Sequence, residues 1–198
     1  VRNIRLVSVV VVLLILAISA ARWLAHQNTL AAKIPGPIRD AVMAHYGDPA
    51  GVSFRAYAVR GDHSFVVTES RYPPGAPWLS YDFFRISSTQ NLNSLIIPQP
   101  MQWSGGKFEA GCSFGYDSKG NPCQAFAVGV AFDKAISRVV GVTADGRTTE
   151  AEVFDGFWWM TSPTDPYNYA KDLWTKIVAY DAEGKALYDC APQYPPIH

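Results

Sequence analysis

Four dipeptides, Gly61-Asp62, Asp145-Gly146, Asp155-Gly156 and Glu183-Gly184, punctuate the chain between runs in which apolar and polar residues alternate. Such dipeptides accept the positive φ angles of tight hairpin turns, and a period of two is that of a strand with one buried face. The pattern therefore predicts a mainly β chain with a short N-terminal helix (α+β). VSFRAYAVRGDHSFVVTESR reads as a hairpin of residues 52–60 and 63–71, and LSYDFFRIS as a third strand near 79–87. LIIP and MQWSGGKF each offer a short strand within 88–111. From residue 123, QAFAVGVAF, SRVVGVTADGRTTEAEVFDGFWWM and WTKIVAYDAEGKALYDC supply about five more, at the spacing of a β-sandwich. With 13% aromatic and 17% charged residues, 15 Gly and 14 Pro, the composition also favours strands and turns over long exposed helices.

One segment breaks the pattern. Residues 6–21, LVSVVVVLLILAISAA, carry no charge and follow Arg2 and Arg5. As a helix this run spans about 24 Å against a hydrocarbon core of about 30 Å. Extension through Arg22, Trp23, Leu24 and Ala25 makes residues 6–25 a single-pass transmembrane anchor, with Arg22 snorkelling and Trp23 at headgroup depth. Ala17-Ile18-Ser19 and Ser19-Ala20-Ala21 support the alternative of a cleaved signal peptide and a secreted product. A short basic head ordinarily stays in the cytoplasm, so the rest is expected to be extracytoplasmic.

The expected organisation is an anchor or signal peptide at 1–25, a proline-containing linker at 26–37, a small α+β subdomain at 38–111 and a β-sandwich-like subdomain at 112–198. Ile38, Ala41, Val42 and His45 have helical spacing, with Pro37 suited to a first turn and Gly47 to a stop. VVGVTADGRTTEAEVFDGFWWM followed by IVAYDAEGKALYD resembles the extracytoplasmic β-sandwich of uncharacterised membrane-anchored proteins of Gram-positive bacteria. The resemblance implies a location and a fold and brings no catalytic residues.

Cys112 and Cys123 flank a turn between two short strands and are candidates for a disulfide. Cys190 is then either the odd thiol or the true partner of one of them. Scattered His26, His45, His63 and His198 and the lack of any CxxC give no zinc site. Asp117 and Asn121 lack the further carboxylates of a calcium loop. No metal or other cofactor is expected. Lys plus Arg (17) balance Asp plus Glu (17), which disfavours nucleic acid as a partner.

No catalytic constellation emerges, and no enzyme activity is expected. Asp62, His63 and Ser64 are consecutive in a hairpin, where alternation prevents a relay. Glu150 and Glu152 share a face of one strand and read as its solvated side, not as a glycosidase pair. Asp165, Asp172 and Asp181 adjoin aromatics at turns and strand ends. The aromatics carry more weight. In a strand, Phe157 and Trp159 point to one face and Trp158 and Met160 to the other, so a single core covers one pair only. Trp158, Met160 and Trp103 are thus the candidate interaction surface, unless another part of the chain covers them. The resulting expectation is a membrane-tethered extracytoplasmic binding or structural module contacting an envelope protein or cell-wall polymer, with a cell-surface hydrolase of wall glycan as the alternative.

Overall fold

A computed structural model describes residues 12–19, 29–46, 50–71, 79–87, 101–116, 122–162 and 173–194. The described chain is mainly antiparallel β. Its strands are β1 (Ser53–Arg60), β2 (His63–Ser70), β3 (Leu79–Ser87), β4 (Met101–Trp103), β5 (Phe108–Tyr116), β6 (Pro122–Ala131), β7 (Arg138–Thr143), β8 (Thr148–Glu150), β9 (Glu152–Phe154), β10 (Phe157–Thr161), β11 (Trp174–Tyr180) and β12 (Ala186–Cys190). They form three four-stranded sheets of order β1-β2-β3-β4, β5-β6-β10-β9 and β12-β11-β7-β8.

The sheets stack, and the stacking explains the sequence of the middle one. On one side, Phe126, Val128, Val130, Phe157 and Trp159 of the second sheet meet Phe65, Val67, Tyr81 and Phe83 of the first. On the other, Ala125, Ala127, Trp158 and Met160 meet Val139, Trp174, Ile177 and Ala179 of the third. Residues 125–130 and 157–160 are accordingly buried without alternation. A strand with two buried faces loses the polar half of its period. Trp158 has no exposed area. Taking roughly 200 Å² of indole out of water at ~25 cal/mol/Å² is worth about 5 kcal/mol before entropic losses.

The remaining face of the first sheet is covered by helix. Pro37 lies in the first turn of helix Gly36–Ala44, whose buried residue is Val42. With Leu30 and Ile34 it covers Phe54, Val66, Phe84 and Ile86. A bulge between Phe54 and Ala56 turns β1 over, so Phe54 faces the helix while Ala56 and Ala58 face the second sheet.

One expectation needs correction. TTEAEVF is not one strand: the Ala151 N–H donates to the Val139 carbonyl at 2.9 Å, and the chain crosses there from β8 in the third sheet to β9 in the second. Glu150 and Glu152 therefore lie in different sheets. The chain passes from the first sheet to the second at residues 104–107, between β4 and β5, and position 111/112 lies within β5.

The expected transmembrane helix is not borne by the described residues, among which no helix is long and apolar enough to cross a membrane. Of residues 6–25, only 12–19 are described, and they are helical. LIIP, residues 26–28 of the linker, Asp117, Asn121, Asp165 and Asp172 lie outside the described residues, as does the side chain of Cys123.

Candidate functional site

The densest group of buried polar side chains lies on the helix-covered face of the first sheet. β2 and β3 pair Val66 with Phe84, Thr68 with Asp82 and Ser70 with Ser80. Cross-strand partners share a face, and so do residues two apart. The apolar ladder under the helix therefore continues into a polar one. Thr68, Ser70, Ser80 and Asp82 are all buried. Tyr46, just beyond the helix, reaches down onto this ladder. Its hydroxyl donates to Asp82 Oδ2 at 2.6 Å and lies 2.5 Å from Thr68 Oγ1. Because the tyrosine proton is engaged by the carboxylate, the threonine hydroxyl is the donor of the second bond.

Burial pushes the Asp82 carboxyl up from its ordinary range, against the opposing influence of the Tyr46 hydrogen bond and the nearby His45. Burial, then the bond to Asp82, pushes the Tyr46 phenol up as well. Ser70 Oγ is buried with no hydrogen-bond partner among the described residues. A perturbed carboxyl beside a hydroxyl relay is the chemistry of an acid–base site. Here the relay is closed over: Asp82 is 6% exposed and Thr68 0%. What the arrangement does is pin the end of the helix to the sheet.

A second group sits at the β1–β2 turn. His63 Nδ1 lies 2.6 Å from Asp62 Oδ1, and Arg85 Nη2 lies 2.8 Å from His63 Nε2. An arginine can only donate, so Nε2 accepts and Nδ1 carries the proton that goes to Asp62. Alternation is the ground for expecting no relay through Asp62, His63 and Ser64, and it does not hold for the first pair, because Asp62 belongs to the turn and not to the alternating strand. Ser64 pairs with Ile86, on the helix-covered face, whereas Phe65, on the opposite face, is partnered by Arg85. Thus Ser64 is turned away from the imidazole, and the nitrogen that would serve as a base is occupied by a guanidinium.

The other sequence-predicted residues are dispersed. Glu152 pairs with Arg60 at 3.5 Å. Asp181 accepts from the Lys185 N–H at 2.8 Å inside the β11–β12 turn. Among the described residues, no group of His, Cys, Asp and Glu could hold a metal ion. Cys112 is in register with Ala127, and Gln124 with Gly115, so Cys112 and Cys123 do not occupy paired backbone positions of the hairpin.

Two of the three residues of the candidate interaction surface are core. Trp158 and Met160 are 0% and 2% exposed. Phe108 stacks on Trp158 at 5.9 Å, and Tyr188 stacks on Phe108 at the same distance. Trp103 is half-buried, donates from Nε1 to the Gly106 carbonyl at 2.9 Å, and meets Phe132 edge-on at 5.6 Å. The sequence assigned two faces to FWWM correctly but counted one inter-sheet core where there are two.

Sequence reasoning missed the Tyr46–Asp82–Thr68 relay. Its trace is Asp82 itself, an acid embedded in LSYDFFRIS two residues before Phe84 and two after Ser80. Comparison with known proteins returned no matching family model, no matching curated protein and no matching solved structure.

Proposed function

We propose that the chain is a membrane-tethered extracytoplasmic module without catalytic function, held in the bilayer through residues 6–25 and presenting its stacked sheets to an envelope protein or a cell-wall polymer. The observation that carries this reading is the helix at 12–19. Its large apolar residues are all exposed, from 46% at Ile18 to 60% at Leu13. A helix apolar on every side has no water-facing stripe, and lipid is the environment that satisfies it. On the rest of the described chain, Val59 alone is an exposed large hydrophobic residue. A partner meeting the described part of that body would find few large apolar side chains, which suits a hydrated wall polymer or a polar protein face.

Fractionation of cells expressing the full chain tests the tether. The protein should remain with membranes through alkaline carbonate, be released by deletion of residues 1–25, and have its body digested by protease added to intact spheroplasts. Recovery of the full chain in the soluble fraction, or protection of the body from external protease, would remove this reading.

A further inference from the structure

The second and third sheets are joined covalently along one side and meet without a covalent link along the other. At the joined side, β8 runs into β9 through Ala151. At the opposite side the outermost strands are β5 and β12, which approach within 8 Å between Cα atoms. Two ring stacks bridge this open edge. Phe108 of β5 lies on Tyr188 of β12, with centroids 5.9 Å apart, and Phe114 lies on Tyr194, just past β12, at 5.4 Å. The Tyr194 hydroxyl also accepts from the Trp174 N–H at 3.0 Å.

Both stacks join residues eighty positions apart, so β5 and the C-terminal segment run side by side in one direction. Between the stacks each segment carries one cysteine: Cys112 two residues before Phe114, and Cys190 two residues after Tyr188. Cys112 shares a face with its partner Ala127, and Cys190 with its partner Ile177. Those two faces form the same inter-sheet core, against which both thiols pack. Both are free thiols in the structure. Each feels the burial of this edge, and the nearness of Cys190 adds to the upward push on Cys112.

We propose that Cys112 and Cys190 form a disulfide that staples the open edge of the two-sheet stack, giving it a covalent closure on both sides. A disulfide needs its Cα atoms within about 7 Å; β5 and β12 approach within 8 Å, and both thiols pack against the core between them, so a small shift along this edge closes the bond. The oxidant is a small-molecule disulfide such as glutathione disulfide. One cysteine thiolate attacks it, forming a mixed disulfide and releasing one glutathione thiol. The second cysteine thiolate displaces the other glutathione, so two protein thiols lose two electrons and two protons while one glutathione disulfide becomes two thiols. The low thiolate fraction of two buried thiols makes closure slow in the folded protein, and burial together with their poor leaving-group character makes a bond once formed hard to attack.

The full chain, refolded in a glutathione redox buffer, alkylated and digested without reduction, tests the assignment by mass spectrometry. The expected product links the Cys112 and Cys190 peptides, and dithiothreitol should lower Tm by about 5–10 °C. Cys112→Ser and Cys190→Ser should each abolish that thiol-dependent shift, and Cys123→Ser should retain it. A Cys112–Cys123 or Cys123–Cys190 peptide, or alkylation of all three thiols after refolding, would overturn the proposal.

Discussion

The indole of Trp158 lies across Gly129: a Cβ placed on that glycine would sit 2.5 Å from Trp158 Cζ2 and would also collide with the carbonyl oxygen of Glu109. Gly129 is in register with Trp158 on one side and with Ala110 on the other, so the middle of β6 gives its own volume to the neighbouring ring. Trp174 uses Gly141 in the same way, with Cδ1 2.5 Å from the position of the missing Cβ. Gly129→Ala should therefore destabilise the fold by ~2–3 kcal/mol through overpacking, because the clash is partly with backbone. Urea unfolding should show a lower midpoint at unchanged slope. A variant as stable as the parent would mean that the ring is not held against this strand.

Asp82 sets a pH dependence of known sign. Its folded-state carboxyl is raised above the ordinary value by burial, so the folded chain holds this proton more tightly than the unfolded chain. The resulting stability is present below the ordinary carboxylate range and is lost as pH rises from that range through the raised value. Asp82→Asn should remove that slope, which urea midpoints collected from pH 4 to pH 8 would reveal. Asp82→Ala should instead lower stability by ~1–3 kcal/mol throughout, since the Tyr46 hydroxyl loses its acceptor.

Asp145 works in the opposite direction. The Thr143 hydroxyl, then Arg147, hold its carboxyl down at about 2. Its contribution is present above the ordinary carboxylate value of about 4 and is lost as pH falls toward its own. Asp145→Asn should flatten the decline of the urea midpoint between pH 5 and pH 2. An unchanged acid limb would show that the exposed β7–β8 turn does not hold this geometry in solution.

The elements read most directly from sequence are those fixed by local rules. β3 occupies 79–87 as alternation indicated, and the hairpin turn Gly61-Asp62 is followed by β2 at His63. Harder to read was anything set by a third layer. FWWM and QAFAVG are apolar on both faces because two other sheets cover them, and a period of two cannot say how many layers a protein has. Ala151 is equally opaque: one small residue in a polar strand pattern becomes the crossing between sheets only through its bond to Val139. The Asp82 relay needed Tyr46, thirty-six residues distant, to become visible.

The β9–β10 turn offers the sharpest test of local reading. Asp155 has φ 50° and Gly156 φ 82°, both in the left-handed region, which is what a two-residue hairpin joining Phe154 and Phe157 demands. Aspartate and asparagine tolerate this region and β-branched residues do not. Asp155→Asn should therefore leave stability within ~0.5 kcal/mol of the parent, while Asp155→Val should cost ~1–2 kcal/mol. Gly156→Ala should cost ~1–3 kcal/mol, since left-handed strain combines with a Cβ only 3.1 Å from Phe132 Cδ1. Thermal unfolding of the three variants should place Asp155→Asn highest. If Asp155→Val melted with it, the turn would have another route between β9 and β10, and the inter-sheet position of Trp158 would not depend on the dipeptide.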